Sequence, residues 1–503
     1  MGERKFPNYH ASNWGIIDEV SLYKEIMEKQ SVNAANCLAV KCDSIAYTYR
    51  ELNQKIQQLA NALKEKGVSK GDKVLLMIED PVKFVLSFFA TSYLEAVIIP
   101  LYFYTGINKV DAIIEKYDIN FLISDSIQDV QNQSKVSNYS LEEHVFHIYD
   151  FDGVQDPQME QIKLILFTSG TTNIPKAIML SENNILSNVQ AISTYLKMNS
   201  SDKILLIKNL SHSSSIVGEL LVGLYNGCSV IMTRKIQVGS VILRIMEEDK
   251  ITIFFAVPTI LKDIMSRKNI ESYDIASLRT INFYGASMHY QDILNLIDRF
   301  PKVNIIYSYG QTEASPRVTY IERDELIKRP ASCGRPIEKV SVSIVDDDGN
   351  EVETMQKGEI IVSGPNVMQG YYKNPEKTSK VIVNGLLHTG DIGYLDGDGF
   401  LYITGRRDNM VISAGKNIYL EEIENTILLY DGVKEVLVQA KDDGKGIAEL
   451  FAFIVVEEEN DFDKKLLVNH CKQRLENYKL PKIITIVEKL EKTPSGKIKR
   501  NQF

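Results

Sequence analysis

Phe167-Thr168-Ser169-Gly170-Thr171-Thr172-Asn173-Ile174-Pro175-Lys176 decides the reading of this chain. It follows the apolar run Ile162 to Leu166, whose length and composition predict a buried strand. Hydroxyl residues flank a single glycine, and a lysine closes the stretch. Glycine lets successive backbone N–H groups turn toward one point, forming an anion nest. Thr168, Ser169, Thr171 and Thr172 add donors around Gly170, and Lys176 adds a mobile positive charge. That chemistry suits the phosphates of a nucleotide, although a plain Ser/Thr-rich loop has a similar composition. The segment is not the common P-loop, because a Gly-Lys pair followed by Ser or Thr is missing.

Three further segments narrow the reading. Tyr307-Ser308-Tyr309-Gly310-Gln311-Thr312-Glu313 comes next, followed by Thr389-Gly390-Asp391 with Gly405-Arg406-Arg407-Asp408, and then Thr493-Pro494-Ser495-Gly496-Lys497. In this order and spacing they resemble the adenylate-forming superfamily, which includes acyl-CoA synthetases, adenylation domains of peptide synthetases and insect luciferases. The resemblance runs from about Tyr47 to Arg500, so it covers nearly the whole chain.

With 503 residues the chain is too long for one ordinary core, and two or more domains are expected. A hydrophobic content of 44% and a charged content of 24% match a soluble globular protein. The net charge of −9 argues against a general nucleic-acid binder. Cys37, Cys42, Cys228, Cys333 and Cys471 are scattered and form neither metal-ligand spacing nor a disulfide framework. With polar, charged first residues and no signal-peptide pattern, they point to a reducing cytoplasm. Phe84 to Phe103 is apolar enough to test as a membrane span, but Glu95 and Pro100 interrupt it. A core helix followed by a buried strand is the better reading, and no transmembrane span is expected.

The organisation is α/β. Leu52, Ile56, Leu59, Ala60 and Leu63 recur at helical spacing, and Gly67 is placed to end that helix. Strands are predicted at 73–78, 96–100 and 121–124, with loops and edge structure over 126–161. A second α/β series has strands at 203–207, 229–232, 253–256, 280–284 and 303–307. Short strands at 340–345, 358–362 and 401–404, with Asp/Gly turns, then predict a smaller β-rich subdomain. Residues 1–407 are expected to form the N-terminal region and 408–503 a small, mobile α+β C-terminal domain.

The resemblance implies particular chemistry. A carboxylate attacks the α-phosphate of ATP, giving an acyl-adenylate and pyrophosphate, and a thiol then takes the acyl group. Thr168, Ser169, Gly170, Thr171, Thr172 and Lys176 would hold the β- and γ-phosphates. Asn173 and Ala177 stand where glycines are common in the family, and they bear on turnover rate more than on reaction type. Gly285, Ala286 and Ser287 would give backbone contacts to adenine, and Tyr309 an aromatic face in the segment Gly310-Gln311-Thr312. Glu313 would bind Mg²⁺ directly or through water. Asp391 is the expected partner of the ribose hydroxyls, and Arg406 a second ribose or phosphate contact. Arg407 beside it reads equally as a solvated turn arginine. Lys497 would stabilise charge at the α-phosphate during adenylation. His212 either flanks the acyl pocket or is a satisfied structural residue. Arg317 reaches a polar substrate tail or pairs with a surface acid.

Amino-acid-activating relatives carry an Asp shortly after this His region, and here Ser214 takes that position between Ser213 and Ser215. An α-ammonium would be left unpaired in an apolar pocket, so a fatty, hydroxy or aryl acid is favoured. Glu219 is the nearest acid along the chain and would serve only if it faced the pocket. Phe254, Phe255, Val257 and Ile260 are candidates for the pocket wall or for ordinary core. No fused carrier domain is expected, so the acceptor comes from outside. Ser413 to Tyr419 resembles the segment facing the thiol tunnel, which fits CoA or the phosphopantetheine of an acyl carrier protein alike. An AMP-forming acid–thiol ligase is the expected enzyme. Amino-acid activation, an adenylate-binding protein without turnover and a luciferase-like monooxygenase are the alternatives.

Overall fold

The computed structural model describes residues 21–168, 174–234, 238–286, 288, 290–413, 416–442, 448–456, 462–492, 498–500 and 502–503. The first α/β series builds an eight-stranded sheet. Its spatial order is Gly370–Tyr371, Lys176–Ser181, Ile162–Thr168, Val97–Pro100, Lys73–Met77, Phe121–Ser124, His144–Asp150, Lys135–Leu141. The central strands run parallel, and antiparallel pairs close both edges. The predicted edge structure at 126–161 is the long hairpin of the last two strands. Lys73–Met77 is buried at every position, as expected for a parallel strand covered on both faces.

The helix predicted from Leu52 to Leu63 spans Tyr49–Glu65. Thr48 and Glu51 form a reciprocal capping box at its start, and all five apolar positions are buried. Gly67, at φ +100°, follows its end. The stretch tested as a membrane span is helix Pro81–Tyr93 followed by strand Val97–Pro100. No helix among the described residues is long and apolar enough to cross a membrane.

The second series forms a nine-stranded sheet. Its order is Arg335–Pro336, Arg317–Glu322, Asn304–Gly310, Thr280–Tyr284, Ile253–Ala256, Lys203–Leu206, Ser229–Met232, Leu38–Cys42, Ile45–Thr48. Strands from Asn304–Gly310 to Leu38–Cys42 are parallel, so their carboxyl ends share one edge. In open α/β sheets, ligands bind along that edge.

Besides the short Ile382–Val383, the β-rich subdomain contains a long strand absent from the sequence reading, Leu386–Leu395. It pairs with both Gly358–Ser363 and Leu401–Arg406 and is the centre of that sheet. The polar run His388-Thr389-Gly390-Asp391 hid it by breaking the alternation of apolar residues. Beyond it, a separate hydrophobic cluster joins helices Leu420–Leu428 and Lys464–Arg474 to a three-stranded sheet. Its members begin at Val411, whereas the large core ends at Ile403. This gap supports the proposed boundary at Arg407/Asp408.

Gly310 ends its strand at a bulge, where pairing with Arg317–Glu322 shifts register. A Cβ on Gly310 would lie 1.8 Å from the Pro316 carbonyl oxygen. The Gly310→Ala variant should therefore lose about 2–3 kcal/mol of stability, read by denaturant unfolding.

Candidate active site

Described residues of the first three sequence motifs converge where the eight-stranded, nine-stranded and β-rich sheets meet. Thr168 ends one strand, Lys176 opens the next, and the two are paired across the hairpin. Ser169, Gly170, Thr171, Thr172 and Asn173 lie outside the described residues. The Lys176 Nζ lies 5.7 Å from the Tyr371 ring centroid, and the Lys377 Nζ lies 5.8 Å from the same ring. Tyr371 reaches this place because Gly370–Tyr371 pairs with the strand that Lys176 begins. Lys377 is carried by helix Pro375–Val381, which Asn374 caps. Two ammonium groups thus stand near one aromatic ring. Burial, reinforced by Lys176, pushes the Lys377 ammonium down to about 8.

Glu313 sits in a single 3₁₀ turn, Thr312–Ala314. Its Oε1 accepts a hydrogen bond from the Tyr371 hydroxyl at 2.9 Å, and its carbonyl accepts one from the Met368 N–H at 2.9 Å. Burial first, and then the Glu313 carboxylate, hold the Tyr371 phenol well above its ordinary range. The Thr312 Oγ1 lies 3.1 Å from the Ser213 Oγ. No group of three or more His, Cys, Asp or Glu side chains among the described residues could hold a metal. A lone carboxylate beside a phosphate loop fits Mg²⁺, which binds through one or two carboxylates plus substrate phosphates and water.

Tyr309, Asp391 and Arg406 come from separate motifs and meet. The Tyr309 hydroxyl donates to Asp391 Oδ2 at 2.5 Å, and Arg406 Nη1 donates to Oδ1 at 2.8 Å. Cross-strand pairing of Asp391 with Arg406 fixes this geometry. Gly285 and Ala286 are exposed just past strand Thr280–Tyr284, with Gly285 at φ +91°; Ser287 lies outside the described residues. The Gln311 side-chain nitrogen is buried without a hydrogen-bond partner. His212 is exposed and N-caps the turn Ser213–Ser215. Lys497, and Ala414 and Gly415 of the thiol-tunnel segment, lie outside the described residues.

Helix Glu182–Leu196 fixes this arrangement. Asn184 and Asn188, four residues apart, share one of its faces. The Asn184 amide donates to the carbonyls of Pro365 and Val367, each at 2.8 Å. Asn188 donates to the Arg317 carbonyl at 2.9 Å and accepts the Arg317 N–H at 3.2 Å. Asn366 donates to the carbonyls of Ala314 at 3.0 Å and Arg317 at 3.1 Å. The loop carrying Glu313 is thus clamped at its far end.

The structure bears on readings the sequence left open. Phe254 and Phe255 are fully buried in the main core. Arg407 stays exposed at the start of the turn Arg407–Asn409, and it also pairs with Glu359 at 3.0 Å and with Asp347. Arg317 is 2% exposed, which excludes pairing with a surface acid. Sequence reasoning also missed Tyr371, Lys377, Lys208 and Tyr284, and it weighed Glu219 only as a partner for a substrate ammonium. The one available signal was Lys208, a lysine placed directly after the apolar run Ile204 to Ile207.

The profile of the AMP-binding enzyme family matches residues 27–372, and that of the AMP-binding enzyme C-terminal domain matches residues 422–497. A feruloyl-CoA synthase of Amycolatopsis sp is 30% identical over 468 residues, covering 92% of this chain and 94% of that protein. A 2-succinylbenzoate–CoA ligase of Bacillus cereus is 28% identical over 466 residues, covering 92% and 94%. The structure resembles that of o-succinylbenzoate CoA synthetase from Bacillus subtilis in complex with the acyl-adenylate intermediate. The TM-score is 0.80 at 25% identity, over 95% of this chain and 97% of that one.

Lys377 is charged below about pH 8 and loses its charge above it, so nucleotide affinity should fall as pH rises through that value. Lys377→Met should remove this step and weaken ATP binding about tenfold on the acid side. Calorimetric titration on either side of the transition checks both outcomes.

Proposed function

The chain belongs to the AMP-binding enzyme family, and we propose that it joins a simple aryl, fatty or hydroxy acid to CoA. It is an AMP-forming acid–thiol ligase: ATP and the acid give an acyl-adenylate and pyrophosphate, and the thiol then displaces AMP. The meeting of Tyr309, Asp391 and Arg406 with Glu313, Tyr371 and Lys176 carries this reading. Asp391 and Arg406 would hold the ribose, with the Tyr309 ring beside adenine. Lys176, Lys377 and the loop after Thr168 would take the β- and γ-phosphates. Mg²⁺ at Glu313, when bound, would neutralise phosphate charge. The residues themselves orient the α-phosphorus toward the incoming carboxylate and supply fixed positive charge as pyrophosphate departs.

The curated relatives named above act on a hydroxycinnamic acid and a succinylbenzoic acid, which supports an aryl acid here. An α-amino acid is disfavoured, because Glu219 is engaged with Lys208 at 3.3 Å and with the Tyr284 hydroxyl. Transfer to a carrier protein is the second reading, since the pantetheine arm is common to both acceptors. A panel of carboxylic acids with AMP release as readout, each offered CoA and a carrier protein, tests the assignment. AMP release without CoA thioester would redirect the acceptor. Absence of acid-dependent pyrophosphate exchange would reject turnover altogether.

Lys497→Ala should slow adenylation about a hundredfold or more while a synthetic acyl-adenylate is still converted to thioester. Equal loss of both steps contradicts its role at the α-phosphate. Asp408 lies in the one-turn connector Arg407–Asn409 between the two cores. Asp408→Pro restricts rotation there, so near-normal pyrophosphate exchange with slow thioester formation is expected. Single-turnover kinetics of each half-reaction separate these outcomes.

A further inference from the structure

Behind Thr312 lies a charged group that the adenylation chemistry leaves unused. Lys208 follows strand Lys203–Leu206, Tyr284 ends Thr280–Tyr284, and Arg317 opens Arg317–Glu322. Glu219 lies on the helical segment Ile216–Leu221, which follows Ser213–Ser215. All four therefore cluster at the edge where the parallel strands end. Glu219 is fully buried, Arg317 is 2% exposed, and the Lys208 side chain is 13% exposed.

The arrangement is unbalanced. The Lys208 Nζ lies 3.6 Å, and the Arg317 Cζ 3.7 Å, from the Tyr284 ring centroid. Against these two cations stands one carboxylate. Glu219 Oε1 receives Lys208 at 3.3 Å and also the Tyr284 hydroxyl. Arg317 Nε and Nη2 are buried without a hydrogen-bond partner, as is the Ser215 hydroxyl oxygen. A buried guanidinium edge left unmatched is costly unless an anion meets it. Gly218 faces that edge without a side chain: a Cβ there would lie 3.2 Å from Nη2. Ser213, which contacts Thr312 at 3.1 Å, links this group to the adenylation residues. An acid activated beside Thr312 would extend its far end toward Lys208 and Arg317.

We propose that Lys208 and Arg317 recognise a carboxylate at the distal end of the acid substrate, so that the enzyme activates one carboxyl of a dicarboxylic acid. Glu219 is a positioning residue that holds Lys208 against Tyr284. This inference rests on the reading of the chain as an acid–thiol ligase.

The test uses the full chain with succinic, glutaric, adipic and 4-carboxycinnamic acids, each beside its monoamide, a neutral mimic of similar size. Wild type should favour at least one diacid over its monoamide by about tenfold or more in kcat/KM for AMP release. Arg317→Met and, separately, the partly exposed Lys208→Met should each lower that ratio about tenfold. Arg317→Lys should restore part of it. Thermal melting confirms folding of each variant. Calorimetric binding of the same acid pairs in the presence of AMP is measured alongside. A ratio near unity in wild type, or an unchanged ratio in both variants, overturns the proposal. Diacid-selective binding that both variants lose, with no AMP release from any acid, supports this recognition and rejects the ligase reading instead.

Discussion

Three buried asparagines hold the catalytic elements in mutual register. Asn184 and Asn188 project from one helix, and Asn366 meets them from the segment that leads to Tyr371. Their amides satisfy main-chain carbonyls at Ala314, Arg317, Pro365 and Val367, which would otherwise be orphaned in the interior. Tyr371 and Arg317 belong to two different sheets and Glu313 to the turn before Arg317, and these bonds fix their separations. An amide both donates and accepts, so Asn188 alone grips the N–H and the carbonyl of Arg317. An aliphatic replacement of the same size would leave both groups buried and unpaired.

Electrostatics then divide the site into regions. One end gathers Lys176 and Lys377 around the Tyr371 phenol, with Glu313 accepting from its hydroxyl. The middle places Asp391 between Tyr309 and Arg406. Like charges at the first end disfavour each other, which is why burial and Lys176 depress Lys377. A polyanion relieves that repulsion on arrival. The Asp391 group is different in kind: its partners are satisfied beforehand, so it is preorganised.

Most of the α/β order was legible in the sequence. Buried parallel strands such as Lys73–Met77 and Phe121–Ser124 are short apolar runs with sharp boundaries, and the helix Tyr49–Glu65 shows a clean helical period. Leu386–Leu395 was not legible, because a strand carrying Thr-Gly-Asp has no apolar alternation to read. The motifs gave Glu313, Asp391 and Arg406 their candidate roles one at a time. What the motifs could not give was company. Tyr371 and Lys377 arrive through the pairing of Gly370–Tyr371 with Met179 and Ile178, a contact between residues far apart in sequence. Lys208 looked unremarkable because burial, not local sequence, makes its charge matter.

Glu359 has a consequence that reaches past the site. This buried carboxylate accepts the Gly390 N–H at 3.1 Å, meets His388 at 3.1 Å and pairs with Arg407 at 3.0 Å. Gly390 adjoins Asp391, and Arg407 adjoins Arg406 at the start of the connector toward the second core. One side chain therefore bolts the ribose-side strand to the first residue of the connector. Any swing of the chain beyond Arg407 must either keep that bolt and pivot just after it, or draw it and slacken the strand beneath Asp391. In the first case the Asp391–Arg406 pair, proposed to hold the ribose, is insulated from movement of the tail; in the second, loosening of that pair and relocation of the tail become a single mechanical event.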